Sequence, residues 1–336
     1  MTHTLTLDEI EKLACDTLRG AGADITAAAA VARSTRLAER DGIRSHGLLY
    51  VPIYAEHLQC GKVSTKANPT VTKPQGAAVR VDADSGFAHT AIDAGWVDFT
   101  QAARDHGIAA MSIHNSYNCG VLGHHAERLA EDGFVGLCFT HAPASIAPIG
   151  GRKPVVGTNP FSVAVPDGDG GTLLVLDQSA SAIAKSEILL RRREGREIEP
   201  GWALDADGNE TTDADAALAG SMLPSGGYKG FGVGLMVEVL AAALAGANLS
   251  AEATPFSGTK GGPPGTGQFF IAINPEAFGG AAFQASMPRL ARSITDQDGA
   301  RLPGQRRADN RAKIEKEGVI VDDALMARIQ AAGQAR

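Results

Sequence analysis

Ile108–Pro166, IAAMSIHNSYNCGVLGHHAERLAEDGFVGLCFTHAPASIAPIGGRKPVVGTNPFSVAVP, decides the architecture of this 336-residue chain. It reads as strand, glycine-bearing loop, helix, strand, long loop, strand. Ile108–Ile113 is a short apolar run and His114–Gly120 a polar loop. Across Val121–Glu131, the residues Leu122, Ala126, Leu129 and Ala130 recur at helical spacing, with Gly133 as the stop. Phe134–Phe139 and Phe161–Val165 are apolar again, and Thr140–Asn159 between them is rich in Pro and Gly. The pattern is an alternating α/β layer. A polar loop set between core strands is a place to hold a small molecule, and the same spacing also describes an ordinary layer with structural glycines.

Composition narrows the classes. With 44% apolar and 21% charged residues, the chain has the make-up of a globular protein, not a disordered one. A net charge of −7 argues against nucleic acid as a partner. Cys15, Cys60, Cys119 and Cys138 are scattered without a C-x-x-C pair, which fits a reducing compartment and offers neither a disulfide frame nor a zinc cage. The start, MTHTLTLDEIEKL, lacks the basic and apolar regions of a secretory signal. The most apolar segment, Val233–Ala247, carries Glu238 and is too short to cross a membrane. A soluble cytoplasmic protein is expected, with no membrane partner.

Upstream, Thr6 and Glu9 form a capping-box pattern for a first helix carrying Leu7, Ile10, Leu13, Ala14 and Leu18. Asp24 or Thr26 opens a second helix, Ala27–Arg40. Ser45-His46-Gly47 follows a break and precedes an apolar helix with Leu49, Pro52, Ile53 and Leu58. A histidine beside a serine and a glycine at such an entrance reaches a bound ligand, or serves structure alone. Val71–Phe87 reads as two strands with turns at Gly76 and Ser85-Gly86, and Thr90–Gly107 as a helix.

Downstream, Thr172–Leu176 is a buried strand ending at Asp177. An acid at the carboxyl end of a strand, followed by Gln178-Ser179-Ala180-Ser181, faces a cleft or caps the next helix, Ala182–Arg192. Arg191-Arg192-Arg193 is a solvated helix end or a contact for a cofactor phosphate. Trp202–Thr212 is a hairpin around Asp207-Gly208-Asn209. In Leu223–Gly232, LPSGGYKGFG, a lysine stands between glycines just before a long apolar helix, Val233–Ala245, whose free N–H groups favour an anion. Ser257–Gly267 is a glycine-rich loop before the strand Gln268–Ile273. A helix near Phe283–Arg292 and a loop, Leu302–Arg307, lead into the last segment.

Several chemistries lack their signatures. There is no Walker loop, no G-x-G-x-x-G after a strand and no G-x-S-x-G elbow. His114, His124 and His125 lie near Glu127 without H-E-x-x-H order, and adjacent His124 and His125 face different ways on a helix. No metal is expected. Cys119 has no paired base in the sequence and reads as a small packed residue.

Taken together and in order, Ser45-His46-Gly47, Gly157-Thr158-Asn159-Pro160, Asp177 with its Ser-rich turn, Tyr228-Lys229-Gly230-Phe231-Gly232 and Pro303-Gly304 resemble the malate/L-lactate dehydrogenase family of the non-Rossmann type. That family also includes sulfolactate dehydrogenase, ureidoglycolate dehydrogenase, 2,3-diketo-L-gulonate reductase and Δ1-piperideine-2-carboxylate reductase. The resemblance runs from about Leu5 to Val321. It implies an α/β fold with a mixed, largely antiparallel sheet and flanking helices, NAD or NADP as cofactor, and a homodimer. It further implies a substrate and dimerisation part, residues 1–115 with 281–336, and a cofactor part, residues 116–280. His46 would be the proton donor, in keeping with a group that titrates near neutrality. Thr158 would line the substrate site. Asp177, Gln178, Ser179, Tyr228, Lys229 and Gly304 would meet the cofactor.

Two positions depart from the family pattern. Tyr50 stands where the family has an arginine that clamps the substrate carboxylate, and tyrosine offers no bidentate fork. Arg44, next to Ser45, is the candidate substitute. Asn118 stands where several members have a histidine; it hydrogen-bonds but is no base. Proton transfer is therefore assigned to His46 alone, with Ser45, Arg44, Tyr50, Asn118 and Thr158 around the substrate. The expected reaction is reversible hydride transfer between NAD(P) and a small anionic 2-oxo acid/2-hydroxy acid pair such as malate, lactate or sulfolactate. The alternative is reduction of a cyclic imino acid. A third reading is a nucleotide-binding protein that has lost turnover with its arginine. Arg191–Arg193 tilt the cofactor toward NADPH.

Overall fold

The computed structural model describes residues 2–334. Strand β1 (Thr2–Leu5) leads into helices α1 (Leu7–Gly20) and α2 (Ile25–Arg40). The capping box forms as expected: Thr6 Oγ1 accepts the Glu9 amide at 3.2 Å, and Glu9 Oε2 accepts the Thr6 amide at 2.8 Å. Asp24, not Thr26, caps α2, because its carboxylate takes the amides of both Thr26 and Ala27. Two 3₁₀ turns, Arg44–His46 and Leu48–Tyr50, then run into α3 (Val51–Gln59).

β2 (Thr70–Gln75) and β3 (Ala78–Asp82) form the expected hairpin, followed by α4 (Ala88–His106). β4 (Ile108–Ser116) outlasts its apolar run. His114 pairs with Asp82 and Ser116 with Thr266, so the ladder carries polar residues that sequence alone assigns to a loop. α5 (Leu122–Glu131), β5 (Val135–Thr140), β6 (Phe161–Pro166) and β7 (Thr172–Gln178) follow the expected order. α6 (Lys185–Arg193) starts later than Ala182, because the Ala182 amide donates to Leu223 and Ser181 Oγ to the Ile183 carbonyl, which holds a turn there. A small lobe holds β8 (Ala203–Leu204), β9 (Glu210–Thr211), α7 (Ala214–Ala219) and β10 (Ser221–Met222). α8 (Tyr228–Val237) begins at Tyr228, ahead of the expected Val233, and continues as a π-helix over Glu238–Leu244. β11 (Thr266–Ile273), α9 (Ala281–Thr295), α10 (Gln305–Glu317), β12 (Val319–Asp322) and α11 (Asp323–Gln334) complete the order. Arg306 and Arg307, read from sequence as loop, lie in the first turn of α10.

The main sheet has the order β2-β3-β4-β11-β5-β6-β7, in which only β3 and β4 run parallel, so it is mixed and largely antiparallel as expected. On one face, Ile92, Trp96, Phe99 and Leu129 of α4 and α5 pack with Met111, Ile113 and Phe270. On the other, Val237 and Ala241 pack against Phe139 and Phe269. β1 pairs with β12, Thr2 opposite Asp322, which joins the two ends of the chain. No described helix is long and apolar enough to cross a membrane.

Candidate active site

His46 closes the 3₁₀ turn between α2 and α3, and the residue after it explains the corner. Buried Glu39 accepts the Leu48 amide at 2.7 Å, and a Cβ on Gly47 would stand 2.1 Å from Glu39 Oε1. Only glycine leaves the carboxylate room. Ser45 Oγ lies 3.0 Å from His46 Nδ1 and steadies the ring. The His46 side chain is exposed, with protein groups close around it. Burial lowers its pKa; the carboxylate of Asp177 opposes that, and His124 and Arg307 add to the lowering. His46 is thus a predominantly neutral imidazole at neutral pH with a carboxylate in its field.

Asp177, at the end of β7, is held from two directions. Its Oδ2 accepts Arg307 Nη2 at 2.8 Å and the Gly123 amide of α5 at 3.1 Å. A Cβ on Gly123 would lie 2.5 Å from Arg307 Nη1 and 2.7 Å from Asp177 Oδ2, so this close approach needs glycine. Asp177 and Gln178 line a cleft of about 380 Å³ with Gly304, Arg301, Arg306 and Arg307. Gly304 takes φ +91° at the start of α10, and Val175 on the edge strand β7 donates to the Pro303 carbonyl at 3.1 Å, which seats this loop. Arg301 and Arg306 have no ion-pair partner among the described residues, so the cleft presents uncompensated cations that suit a phosphate-bearing ligand. The residues present fit a nicotinamide dinucleotide in this respect.

Ala180 draws the remaining cofactor candidates together. Its amide donates to the Thr158 carbonyl at 2.8 Å, and its carbonyl accepts the Ser225 amide at 2.8 Å. Thr158, Ser179 and the N-terminus of α8 with Tyr228 and Lys229, both exposed, therefore share one neighbourhood. The G-T-N-P run has a physical basis. Asn159 is fully buried at φ +39°, and its amide bonds the Ala142 N–H, the Gly234 carbonyl and Glu238 Oε2 at 3.2, 2.9 and 2.8 Å. Glu238 also accepts the Ser250 amide at 2.6 Å, so it is the hub of a buried network.

A cluster of rings adjoins His46. The rings of His46 and Tyr50 run parallel, 8° apart in plane, with centroids at 6.5 Å. Tyr50 meets Tyr54 edge-on at 4.7 Å. Tyr54 Oη donates to Asn118 Oδ1 at 2.9 Å, the Gly120 amide donates to the same oxygen at 3.2 Å, and Asn118 Nδ2 lies 3.5 Å from Tyr50 Oη. Arg44 stands apart from this group: it is exposed, and its guanidinium donates to the Ile320 carbonyl of β12 at 3.4 Å.

Residues 5–330 match the malate/L-lactate dehydrogenase family. The chain belongs to that family. It is an oxidoreductase, and it is 40% identical to a Δ1-pyrroline-2-carboxylate reductase of Ancylobacter novellus over 98% of this chain and 97% of that one. It is 38% identical to an NADP(+) (2R)-3-sulfolactate dehydrogenase of Chromohalobacter salexigens, over 96% and 97% of the two chains. The Δ1-piperideine-2-carboxylate reductase structure from Pseudomonas syringae superposes with a TM-score of 0.93 at 34% identity, covering 98% of this chain and 99% of that one.

Of the residues singled out by the family motifs, the structure brings Asp177, Gln178 and Gly304 to one cleft, and their neighbours carried no motif. Arg307, Tyr54, Tyr117 and His57 gave no motif signal. Of the three arginines that could contact a cofactor phosphate, two are engaged elsewhere: Arg191 bonds Glu187 and Glu199 at 3.1 and 3.3 Å and lies over Trp202, and Arg192 faces Asp215 at 3.8 Å. Asp41, His124 and Glu127 converge within 4.8 Å with metal-ligand chemistry. Two guanidiniums fill that space instead, since Arg311 reaches Asp41 Oδ2 at 3.0 Å and Glu127 Oε1 at 2.9 Å, and Arg40 reaches Asp41 Oδ1 at 2.8 Å. It is an ion-pair node. Cys119 is buried, and burial pushes its pKa up to about 12, as a packed thiol requires.

Proposed function

We propose that this chain is an NADPH-dependent reductase of a small cyclic imino acid of the Δ1-pyrroline-2-carboxylate or Δ1-piperideine-2-carboxylate type. The observation that carries the reading is the neutral wall beside His46, where Tyr50 and Asn118 stand in place of the arginine and histidine of the family pattern. The substrates named for the Ancylobacter and Pseudomonas relatives support it. When bound, a reduced nicotinamide supplies the hydride. The chain's own residues orient the substrate and manage its proton. His46 faces the reacting group, Asp177 tunes it, and Thr158 and Asn118 flank it. Arg301 and Arg306 favour the additional phosphate of NADPH over NADH.

A second reading, reduction of a 2-oxo acid to its 2-hydroxy acid, draws on the sulfolactate dehydrogenase relative. The two differ in proton demand. A ketone becomes an alkoxide and needs a proton from His46. A cyclic imine binds as the iminium and already carries its own. With the His46 pKa lowered, its protonated fraction dwindles as pH rises above that value. Keto-acid turnover should therefore fall across the weakly acidic range as pH rises, while imine turnover persists until the iminium itself deprotonates. Nicotinamide absorbance with NADPH and NADH against Δ1-pyrroline-2-carboxylate and sulfopyruvate, between pH 5.5 and 9, tests this. Turnover of the keto acid alone would refute the imine reading; turnover of neither, with NADPH bound, would refute both.

We also place the protein in the cytoplasm as a homodimer, with residues 1–115 and 281–336 as its substrate and dimerisation part and 116–280 as its cofactor part. The sheet joins the two parts.

A further inference from the structure

The turn that carries Thr158 is tied to a buried carboxylate on another element. Glu238 is the first residue of the π-helical segment Glu238–Leu244 and is 7% exposed. Such π turns recur at functional sites. Both carboxylate oxygens accept. Oε1 takes the Ser250 amide at 2.6 Å, and Oε2 takes Ser250 Oγ at 2.5 Å and Asn159 Nδ2 at 2.8 Å. No ion pair among the described residues includes Glu238. His141 is the titratable group beside this network. Its Nδ1 stands 3.4 Å from Ser250 Oγ, and burial pushes its pKa down while Glu238 opposes. The anion is therefore held by N–H and O–H groups.

That donor set fixes the Asn159 amide. Nδ2 donates to Glu238 and to the Gly234 carbonyl, and Oδ1 accepts the Ala142 amide. Turned over, the amide would set its oxygen against Glu238 and the Gly234 carbonyl, and its N–H groups against that of Ala142. Locked in this way, Asn159 keeps φ +39°, which residues other than glycine rarely adopt. Thr158, the residue before it, has its carbonyl on the Ala180 amide at 2.8 Å. Gly234 lets the helix come this close, since a Cβ there would stand 3.1 Å from Ala180 Cβ.

We infer that Glu238 is a positioning residue: its carboxylate, acting through Asn159, sets the turn that holds Thr158 against the Ser179-Ala180 segment. The inference rests on the placement of Thr158 beside the reacting group and deepens that reading. Glutamine cannot replace Glu238. Its NH2 group would face either the Ser250 amide or the Asn159 NH2, donor against donor. The isosteric change thus releases Asn159 without opening a cavity.

The test measures kcat and the KM for NADPH in Glu238→Gln, in Asn159→Gly and in the double variant, with Δ1-pyrroline-2-carboxylate and with sulfopyruvate. Glycine at 159 takes the left-handed backbone unaided and removes the amide. Rates are expressed per NADPH site counted by fluorescence titration, so that a poorly folded fraction is not scored as slow turnover. Glu238→Gln should lower kcat about tenfold or more, with the KM for NADPH near its wild-type value. In the Asn159→Gly background it should change kcat little, because both residues act on one turn. An unchanged kcat in Glu238→Gln, or losses that multiply in the double variant, would overturn the inference. Thr158→Ala at wild-type kcat would remove Thr158 from the reacting group, while losses that still fail to multiply would sustain the positioning of the turn by Glu238. The emission of bound NADPH repeats the comparison without substrate. It should change in Glu238→Gln and no further in the double variant, and wild-type emission in all three proteins would overturn the inference even where neither substrate is turned over.

Discussion

Single residues at this site are fixed by space as much as by chemistry. Gly47 is the clearest case, because its missing Cβ leaves room for Glu39 to reach the Leu48 amide at the corner that carries His46. Gly47→Ala should lower stability by about 1–3 kcal/mol, the usual range for overpacking. It should also lower kcat/KM more than tenfold, because the methyl group displaces the corner that carries His46. Denaturant titration and steady-state kinetics together check this; a variant with wild-type kinetics would mean that Glu39 moves aside without consequence. The S-H-G motif located His46 from sequence. The reason for its glycine lay in Glu39, on another helix, and no local pattern reveals that. Asn159 is similar. The G-T-N-P run was recognisable, but the left-handed backbone and the buried bond to Glu238 appear only when α8 packs against the turn.

At the level of elements, local signals were readable and long-range ones were not. The capping box at Thr6 and Glu9, the helix stop at Gly133 and the β2–β3 hairpin follow from neighbouring residues, and the structure has them. The pairing of β1 with β12 joins positions at opposite ends of the chain and left no mark in either. Helix α10 was hidden for a different reason. Its sequence is almost wholly polar, which reads as a solvated surface, yet it places Arg307 on Asp177 and Arg311 on Asp41 and Glu127 from one face, four residues apart. The Asp41 side chain is fully buried, so removal of Arg311 leaves its charge undercompensated. Arg311→Ala should cost about 3–5 kcal/mol, as for a broken buried pair. Because α10 also carries Arg307, kcat should fall as well. Urea midpoints within error of the wild type would show that Arg40 and His124 suffice to hold Asp41.

Across the whole molecule, the proposed site draws on distant parts of the chain, with His46 from the first helical layer, Asp177 from the edge of the sheet and Arg307 from the C-terminal helix α10. That convergence explains why the family resemblance covers nearly the full length and why no short motif carries the activity. Among the exposed apolar side chains, one set forms a stripe. On α8 and its π-helical continuation, Leu235, Met236 and Val239 are 48, 43 and 53% exposed along one face, beside the N-terminal end that carries Tyr228 and Lys229. A second copy of the chain covering this face would bury the stripe and brace the helix whose buried side holds Asn159. If the protein is the homodimer proposed, light scattering should give about twice the 34.7 kDa of one chain, and Leu235→Glu with Met236→Glu should yield a monomer, since two carboxylates in an apolar contact are costly to desolvate. Turnover should weaken in that monomer, because α8 and its π-helical continuation anchor the turn beside Thr158 through Gly234 and Glu238. A wild-type mass of a single chain would dispose of the dimer. A doubly substituted protein that stays dimeric would move the interface to another face.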